Sequence, residues 1–446
     1  MASQPSAPAI WRSWLLLIIS GGGGLFAIVG AGLLIVAGSI GLLRATIPGL
    51  QSVTLFNLAW VMLLVGLLCI PAVVYSLLSI RGKNFISRPN PKSFFFASAG
   101  LLVWGLLVML FKPVETSQLA WLLLPPLVLL VTVLPLWWYI ETGRRGLTLS
   151  SPAQSWGLIG FSLVFTLPVI LTLELLVLGL VLVFGGIYLS ASPDFAGQLA
   201  ILQRMVSDPN FNPQILMDMF SGLLQRPGVI LTLLAVVSGV VPLLEEMFKP
   251  LAVWLLAGDK LTPAQGFLAG MLSGASFALW ENLTALSAAG DGSGTLILVA
   301  RVGTGLLHIV TAGMVSWGMA SFWQSRRYLG RMVGAYVLAV MLHGLWNASG
   351  VLTGIGPLLQ IPVETSPITQ TVESGAVAVL IALVFVNLGL LLFFNARLRR
   401  SQPAEVAGGA LHVSDPLQTT PQPTDFSGAL PDDDVNPTPG PDAAKE

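Results

Sequence analysis

Charged residues are scarce in this 446-residue chain. Asp, Glu, Lys and Arg together make up 9% of it, whereas hydrophobic residues make up 54%. Soluble globular proteins carry roughly 25% charged residues, so a soluble protein of this composition would be anomalous. The few charges are also segregated, because long apolar stretches are separated by short polar segments that hold nearly all the Lys and Arg. This arrangement is typical of a polytopic membrane protein.

A basic surplus is also absent, since 21 Lys and Arg are balanced by 21 Asp and Glu. Without such a surplus there is nothing to neutralise phosphates, which argues against a nucleic-acid partner. Cysteine is almost absent as well. The single Cys69 lies in an apolar stretch and is interpreted as a small buried hydrophobic residue. A disulfide framework and a thiolate metal site are therefore excluded.

Ten apolar runs are each long enough to cross a membrane core of ~30 Å, which needs about 20 residues. The first run begins near Trp14 and passes Ala37, which is too long for the core of a signal peptide, so we expect it to be retained as a span. The sequence thus predicts an all-α bundle of about ten transmembrane helices in a cell membrane. The runs lie near 14–41, 55–80, 94–111, 119–140, 156–189, 228–257, 264–289, 295–322, 331–352 and 374–395.

Basic residues in the loops predict that both termini are cytoplasmic, because cytoplasmic loops are enriched in Lys and Arg. The outside segments then hold only Arg44, Lys112, Arg204 and Arg226. The inside segments hold Arg12, Arg81, Lys83, Arg88, Lys92, Arg144, Arg145, Lys260, Arg326, Arg327, Arg331, Arg397, Arg399 and Arg400. This alternation also favours an even number of spans.

The chain divides by composition and motif content into five parts. The last part is rich in Pro, Asp, Gly and Ala and is expected to be a disordered cytoplasmic tail. The predicted parts are helices one to five (1–190), an extracytoplasmic loop (191–227), a core of helices six to nine (228–352), the last helix (353–397) and the tail (398–446).

Ionisable residues are concentrated in four consecutive predicted spans, six to nine. An ionised side chain at mid-bilayer costs about 2.5 to 3.5 kcal/mol, so five of them would cost roughly 12 to 17 kcal/mol if unpaired. They must therefore face the bundle interior and pair with one another, or line a wet cavity. The five are Glu245, Glu246, Lys249, Glu281 and Arg301.

Spacing places the polar residues of each span on one helix face. Lys249 follows the two carboxylates by four and three residues, and Arg301 and His308 are about two turns apart. His343 and Asn347 are one turn apart in the ninth span. Taken singly, each has a structural interpretation: an intrahelical ion pair, a snorkelling arginine or an interhelical hydrogen bond. Together the residues predict one site.

Glu174, in the fifth span, matches no motif. It is interpreted as a satisfied or cavity-facing carboxylate, with a minor functional role as the alternative.

The four strings in spans six to nine resemble the motifs of the PrsW family of intramembrane proteases. Glu245-Glu246-x-x-Lys249 looks like its E-E-x-x-K motif, and Phe277-x-x-x-Glu281-Asn282 looks like its F-x-x-x-E-N motif. Arg301 with His308 looks like the third element of the family, and His343-x-x-Trp346-Asn347 looks like the fourth. CAAX prenyl proteases and bacteriocin-processing enzymes share the layout but usually have His where this chain has Glu281, which favours PrsW.

The resemblance implies site-specific cleavage of a membrane-anchored protein, with a single-pass anti-sigma factor as the best-known type of substrate. Peptide hydrolysis needs an activated water, an oxyanion stabiliser and a proton donor for the leaving amine. The predicted catalytic residues are Glu245, Glu246, Glu281, His308 and His343, supported by Lys249, Asn282, Arg301 and Asn347.

Two mechanisms use these same residues, and their spacing leaves both open. In the first, His308, His343 and a carboxylate, Glu281 or one of the pair, hold Zn²⁺, and the other Glu of the pair is the base. In the second, Glu246 or Glu245 activates water without a metal, and a His and Asn347 stabilise the oxyanion.

Three alternatives to a PrsW-type protease remain at this stage. Buried charges also mark ion and proton pathways, so an ion- or proton-coupled transporter is one alternative. A CAAX-type prenyl-protein peptidase is the second, and a non-catalytic scaffold or receptor is the third. A transporter is disfavoured because residues 1–190 contain no second polar cluster to match that of spans six to nine.

Overall fold

A computed structural model of the chain is helical throughout the part that it describes, and no β-strand occurs there. The predicted all-α class is confirmed. The described residues are 10–44, 50–83, 85–86, 90, 92–149, 151–190, 197, 226–288, 294–353 and 367–401.

Five long helical segments precede the motif-bearing region, as expected. The fifth is interrupted by one π-helical turn, Ser162–Thr166, which separates α5 from α6. The helices are α1 (Ile10–Arg44), α2 (Leu50–Ile80), α3 (Ser93–Glu115), α4 (Ala120–Arg144), α5 (Pro152–Phe161) and α6 (Leu167–Ser190).

Five more long segments follow. A second π-helical turn, Val236–Val240, divides the sixth segment, and a 3-10 turn, Arg326–Tyr328, opens the ninth. The helices are α7 (Pro227–Ala235), α8 (Val241–Phe248), α9 (Leu251–Trp254), α10 (Pro263–Ala288), α11 (Gly294–Gln324), α12 (Leu329–Thr353) and α13 (Pro367–Arg400).

Nine of the ten described segments are long and apolar enough to cross a membrane. The exception is α10, the predicted seventh span, which is 26 residues long but carries many Gly, Ser and polar residues. Most of its side chains are buried inside the protein, so α10 does not need the apolar surface that lipid requires. It packs along α11, the most buried of the nine spans.

Glycines let α10 and α11 approach each other closely. Gly266, Gly270 and Gly274 recur every four residues and form a stripe along α10. A methyl group at Gly274 would lie 2.2 Å from the carbonyl oxygen of His308, and one at Gly270 would lie 2.2 Å from that of Ala312. This close packing holds the backbone of His308 against α10.

The sixth segment is interrupted on both sides of the Glu245-Glu246 pair. The π turn precedes α8, and the helix breaks again after Phe248, where Pro250 provides no backbone N–H. The π turn ends two residues before Pro242 and the second break lies at Pro250, so α8 is a short helix with its own direction.

Several predictions fall on residues that the structure does not describe. The loop 191–227 is described only at residues 197, 226 and 227, and the tail only up to Ser401. The orientation of the termini and the five-part division stay predictions.

We predict that Gly274→Ala destabilises the protein by about 1 to 3 kcal/mol, because the added methyl group has no space against α11. Gly334→Ala in α12 is the matched control, since a methyl group there would have no neighbour within 4 Å. The control should be neutral or stabilising by up to ~1 kcal/mol, as expected for Gly to Ala in a helix. Denaturant unfolding in detergent micelles measures the free energy of unfolding of both variants. Equal stability of Gly274→Ala and Gly334→Ala would contradict the close packing.

Candidate active site

The predicted site residues of four spans converge in one buried network. Glu245 and Glu246 lie at the end of α8, and Lys249 follows directly. His308 lies on α11 and His343 on α12. All five side chains are buried, and Glu246, Lys249 and His308 have no exposed surface. Charges that are this thoroughly removed from water must be compensated inside the protein.

The Lys249 ammonium lies at the centre of this network. Its Nζ donates to Glu246 Oε1 and to His308 Nδ1, both at 2.7 Å. Glu245 Oε2 is 2.8 Å away as an ion-pair contact, and His343 Nδ1 is 3.5 Å away. One cation therefore contacts two carboxylates and two imidazoles.

The two histidines are adjacent and face the same carboxylates. Their rings are perpendicular, with centroids 5.1 Å apart. His343 Nδ1 lies 2.9 Å from Glu246 Oε1, and its Nε2 lies 3.8 Å from Glu245 Oε2. The second oxygen of Glu246, Oε2, is buried and has no hydrogen-bond partner. This oxygen is thus available to accept a proton or to bind a ligand.

Glu281 contacts the network from one side. Its Oε2 is 2.6 Å from His308 Nε2, and its Oε1 accepts from Arg301 at 2.6 Å. The Glu281 side chain is 33% exposed, in contrast to the buried pair on α8. The relay Arg301–Glu281–His308 therefore orients the imidazole, as outer carboxylates commonly do for histidines in metal sites.

The two predicted asparagines serve contacts between helices. Asn282 donates to the carbonyl of Arg301 at 3.1 Å and so joins α10 to α11. Asn347 donates to the carbonyl of Val237 at 2.9 Å, inside the π turn that precedes α8. The Asn347 amide thereby stabilises an irregular backbone segment, and in this structure it is not directed at the Lys249 centre.

Phe277, the first residue of the second motif, forms an apolar wall of the site. Its ring is perpendicular to that of His308, with centroids 5.0 Å apart, and Lys249 Nζ lies 4.7 Å from its centroid. A cation at this distance from an aromatic face is attracted to it. Phe277 thus contacts the central cation without adding another polar group.

Two buried serines lie beneath the network, and sequence reasoning missed their role. Ser273 lies on α10, and its side chain is completely buried. Its hydroxyl donates to the carbonyl of Lys249 at 2.5 Å and lies 2.9 Å from the hydroxyl of Ser162, in the π turn of the fifth span. These contacts anchor the chain at the break before Pro250 and tie the fifth span to it. The sequence signal was weak, because isolated serines are common in packed helices.

Four residues have the donor types and the proximity needed to hold a metal ion. Glu245, Glu246, His308 and His343 each offer one ligand atom, and these atoms lie within 4.8 Å of one another. Two imidazoles and two carboxylates suit Zn²⁺, and the unpartnered Glu246 Oε2 suits a further ligand bond. The residues therefore fit a metal. Glu281, which was predicted as a possible carboxylate ligand alongside the pair, is not part of this group.

A bundle of membrane-spanning helices around a desolvated cluster of Glu, His and Lys defines a multi-pass integral membrane protein with a buried polar site. Residues 211–396 match the model of the PrsW family intramembrane metalloproteases. Residues 211–396 are thus similar to PrsW family proteases, and the resemblance found in the motifs is confirmed. The match extends beyond the predicted core, because it also takes in most of α13.

The match covers less than half of the chain, and all of α1 to α6 precedes it. Comparisons with curated proteins and with solved structures gave no match.

We predict that Lys249→Met lowers the free energy of unfolding by about 3 to 5 kcal/mol in chelator-treated protein, because it leaves buried carboxylates without their cation. Lys83→Met is the control, since Lys83 is exposed and such a change costs less than about 0.5 kcal/mol. Denaturant unfolding in micelles gives both values. If the two variants were equally stable, the Lys249 ammonium would not be the cation that holds the site together.

Proposed function

We propose that this protein is an intramembrane endopeptidase that cleaves a membrane-anchored protein at a site built from Glu245, Glu246, His308 and His343. The observation that carries the proposal is the unpartnered carboxylate oxygen of Glu246 among two imidazoles and a second carboxylate, all buried and all carried by segments that can cross a membrane. A desolvated carboxylate with a free acceptor position is suited to take a proton from water.

Hydrolysis of a peptide bond adds water across it. Glu246 Oε2 accepts one proton from the attacking water, and the water oxygen forms the new bond to the carbonyl carbon. Lys249 and the imidazoles surround the position where negative charge develops and stabilise the oxyanion. The C–N bond then breaks, and the proton on Glu246 passes to the leaving amine. This cycle leaves the enzyme in its starting state.

A metal fits the same residues. His308, His343 and Glu245 would hold Zn²⁺, with Glu246 as the base and Glu281 orienting His308 through its 2.6 Å contact. When bound, such an ion lowers the pKa of water and polarises the scissile carbonyl. Lys249 Nζ now lies among these ligand atoms, so metal binding requires the ammonium to move aside. The metal-free alternative uses the same residues, with Lys249 as the resident cation.

The substrate that we propose is a single-pass membrane protein of the anti-sigma-factor type. The buried position of the site supports this class, because a peptide bond must enter a bundle of membrane-spanning helices to reach Glu246. The lipid bilayer is therefore part of the working environment of the enzyme.

We predict that Glu246→Gln lowers cleavage by about 10²- to 10⁴-fold, the usual contribution of a general base, while the protein stays folded. Lys249 retains its contact with Glu245 in this variant, which preserves the central ion pair. The measurement is a comparison of membrane-protein N-termini in host cells that carry the wild type or the variant. The variant should lack a set of new N-termini that lie in or beside single spans.

Glu141→Gln is the matched control for this experiment. Glu141 is a buried carboxylate of α4, and its partners Ser93, Trp137 and Arg144 lie outside the site. The control should produce the wild-type pattern of N-termini. Identical patterns from the wild type and Glu246→Gln would refute the proposed protease.

We predict that purified wild type holds about one equivalent of Zn²⁺, and that the double variant His308→Ala, His343→Ala holds much less, because two of the ligands are lost. Elemental analysis of detergent-purified protein measures this directly. Equal and negligible zinc in both proteins would eliminate the metal version and leave the carboxylate version, with Lys249 as its cation.

A further inference from the structure

Glu174 belongs to a part of the chain that the family match does not reach, yet its carboxylate lies at the site. It is on α6, in the fifth span, 37 residues before the matched region begins at residue 211. Its carboxylate is within hydrogen-bonding reach of the Glu245 carboxylate and within electrostatic reach of Glu281 and Lys249. In the sequence Glu174 matches no motif, and it was expected to be a satisfied or cavity-facing carboxylate, with a minor functional role as the alternative.

Packing of α6 holds Glu174 in this place. Ile170, one turn before Glu174 on the same face, is completely buried. It forms a small apolar cluster with Leu167 and Phe277, against which Phe248 and Trp280 pack. Phe277 and Phe248 lie in the two helices that carry Glu281 and Glu245, so this cluster sets the position of Glu174 relative to both carboxylates.

A polar contact fixes the other end of this arrangement. Ser162, in the π turn that leads into α6, is joined through Ser273 to the carbonyl of Lys249. The fifth span is thus attached to the α8 region by a hydroxyl pair and by an apolar cluster. Both attachments are buried. Glu174 lies on α6, which follows the π turn directly.

Counting formal charges shows what Glu174 adds. The network contains four carboxylates and only two fixed cations when the histidines are neutral. Two carboxylates that touch in a medium of low dielectric constant share a proton, which a bound cation would displace. With all four carboxylates ionised, the formal excess of two negative charges equals the charge of one divalent cation. The carboxylates are Glu174, Glu245, Glu246 and Glu281, and the cations are Lys249 and Arg301.

We propose that Glu174 is a positioning residue of the metal site, contributed by the N-terminal spans, which holds Glu245 and supplies the carboxylate charge that retains a divalent cation. This inference rests on the proposed function, since it assigns a role at the same site. It also assigns the N-terminal spans a role at the site.

The test is zinc affinity measured by competition with a chelator, on the full-length protein in nanodiscs. Glu174→Gln should bind Zn²⁺ about 10- to 100-fold more weakly, the usual effect of losing an outer partner of a metal ligand. Glutamine keeps the size of the side chain and can donate to Glu245, so a role in packing or hydrogen bonding alone would leave affinity unchanged. Glu174→Asp retains the charge and should recover part of the affinity.

Glu141→Gln again serves as the control and should bind zinc as the wild type does. If the wild type and Glu174→Gln bound zinc equally tightly, the role of Glu174 would be refuted while the proposed protease stood. If the wild type bound no divalent cation yet cleaved substrate, the metal site and the role of Glu174 would both be refuted. A wild type that neither bound zinc nor cleaved would overturn the proposed function itself.

Discussion

The structure depends on one interaction, the contact of the Lys249 ammonium with two buried carboxylates. Glu245 and Glu246 are adjacent in sequence and end a helix that carries no other charge. Inside a membrane protein neither could be ionised without a cation close by. Lys249 provides that cation from within one helical turn, so the pair needs no partner from another helix. The histidines of α11 and α12 pack around this charge centre.

Much of the fold followed from the sequence because lipid imposes a simple constraint. Every long apolar run had to be a helix, and the observed helix ends lie within a few residues of most predicted ones. The seventh segment, α10, shows where that constraint stops applying. It is enclosed by other helices, so its composition reflects close packing against α11 more than contact with lipid.

The sequence predicted which residues of spans six to nine form the candidate site, but not which of them contact one another. The cost of unpaired charge required the residues of spans six to nine to converge, and they do. Which residue contacts which depends on helix rotation, and sequence spacing within one helix does not give the rotation of its neighbours. Glu281 therefore lies beside His308 and Arg301, outside the group of four, and Asn347 reaches the π turn instead of the Lys249 centre. The contact of Glu174 with Glu245 was unpredictable for the same reason, since only tertiary packing brings the two residues together.

The π turn before α8 has a consequence for the angular register of the whole site. A π turn accommodates one residue more than a regular helical turn, and each residue of an α-helix advances the side-chain direction by about 100°. The single extra residue within Val236–Val240 thus determines which way Glu245 and Glu246 point relative to α7. Removing one residue there would restore a regular helix and swing both carboxylates away from the histidines. The direction of the reactive groups is thereby set by a backbone irregularity among residues that carry no ionisable side chain.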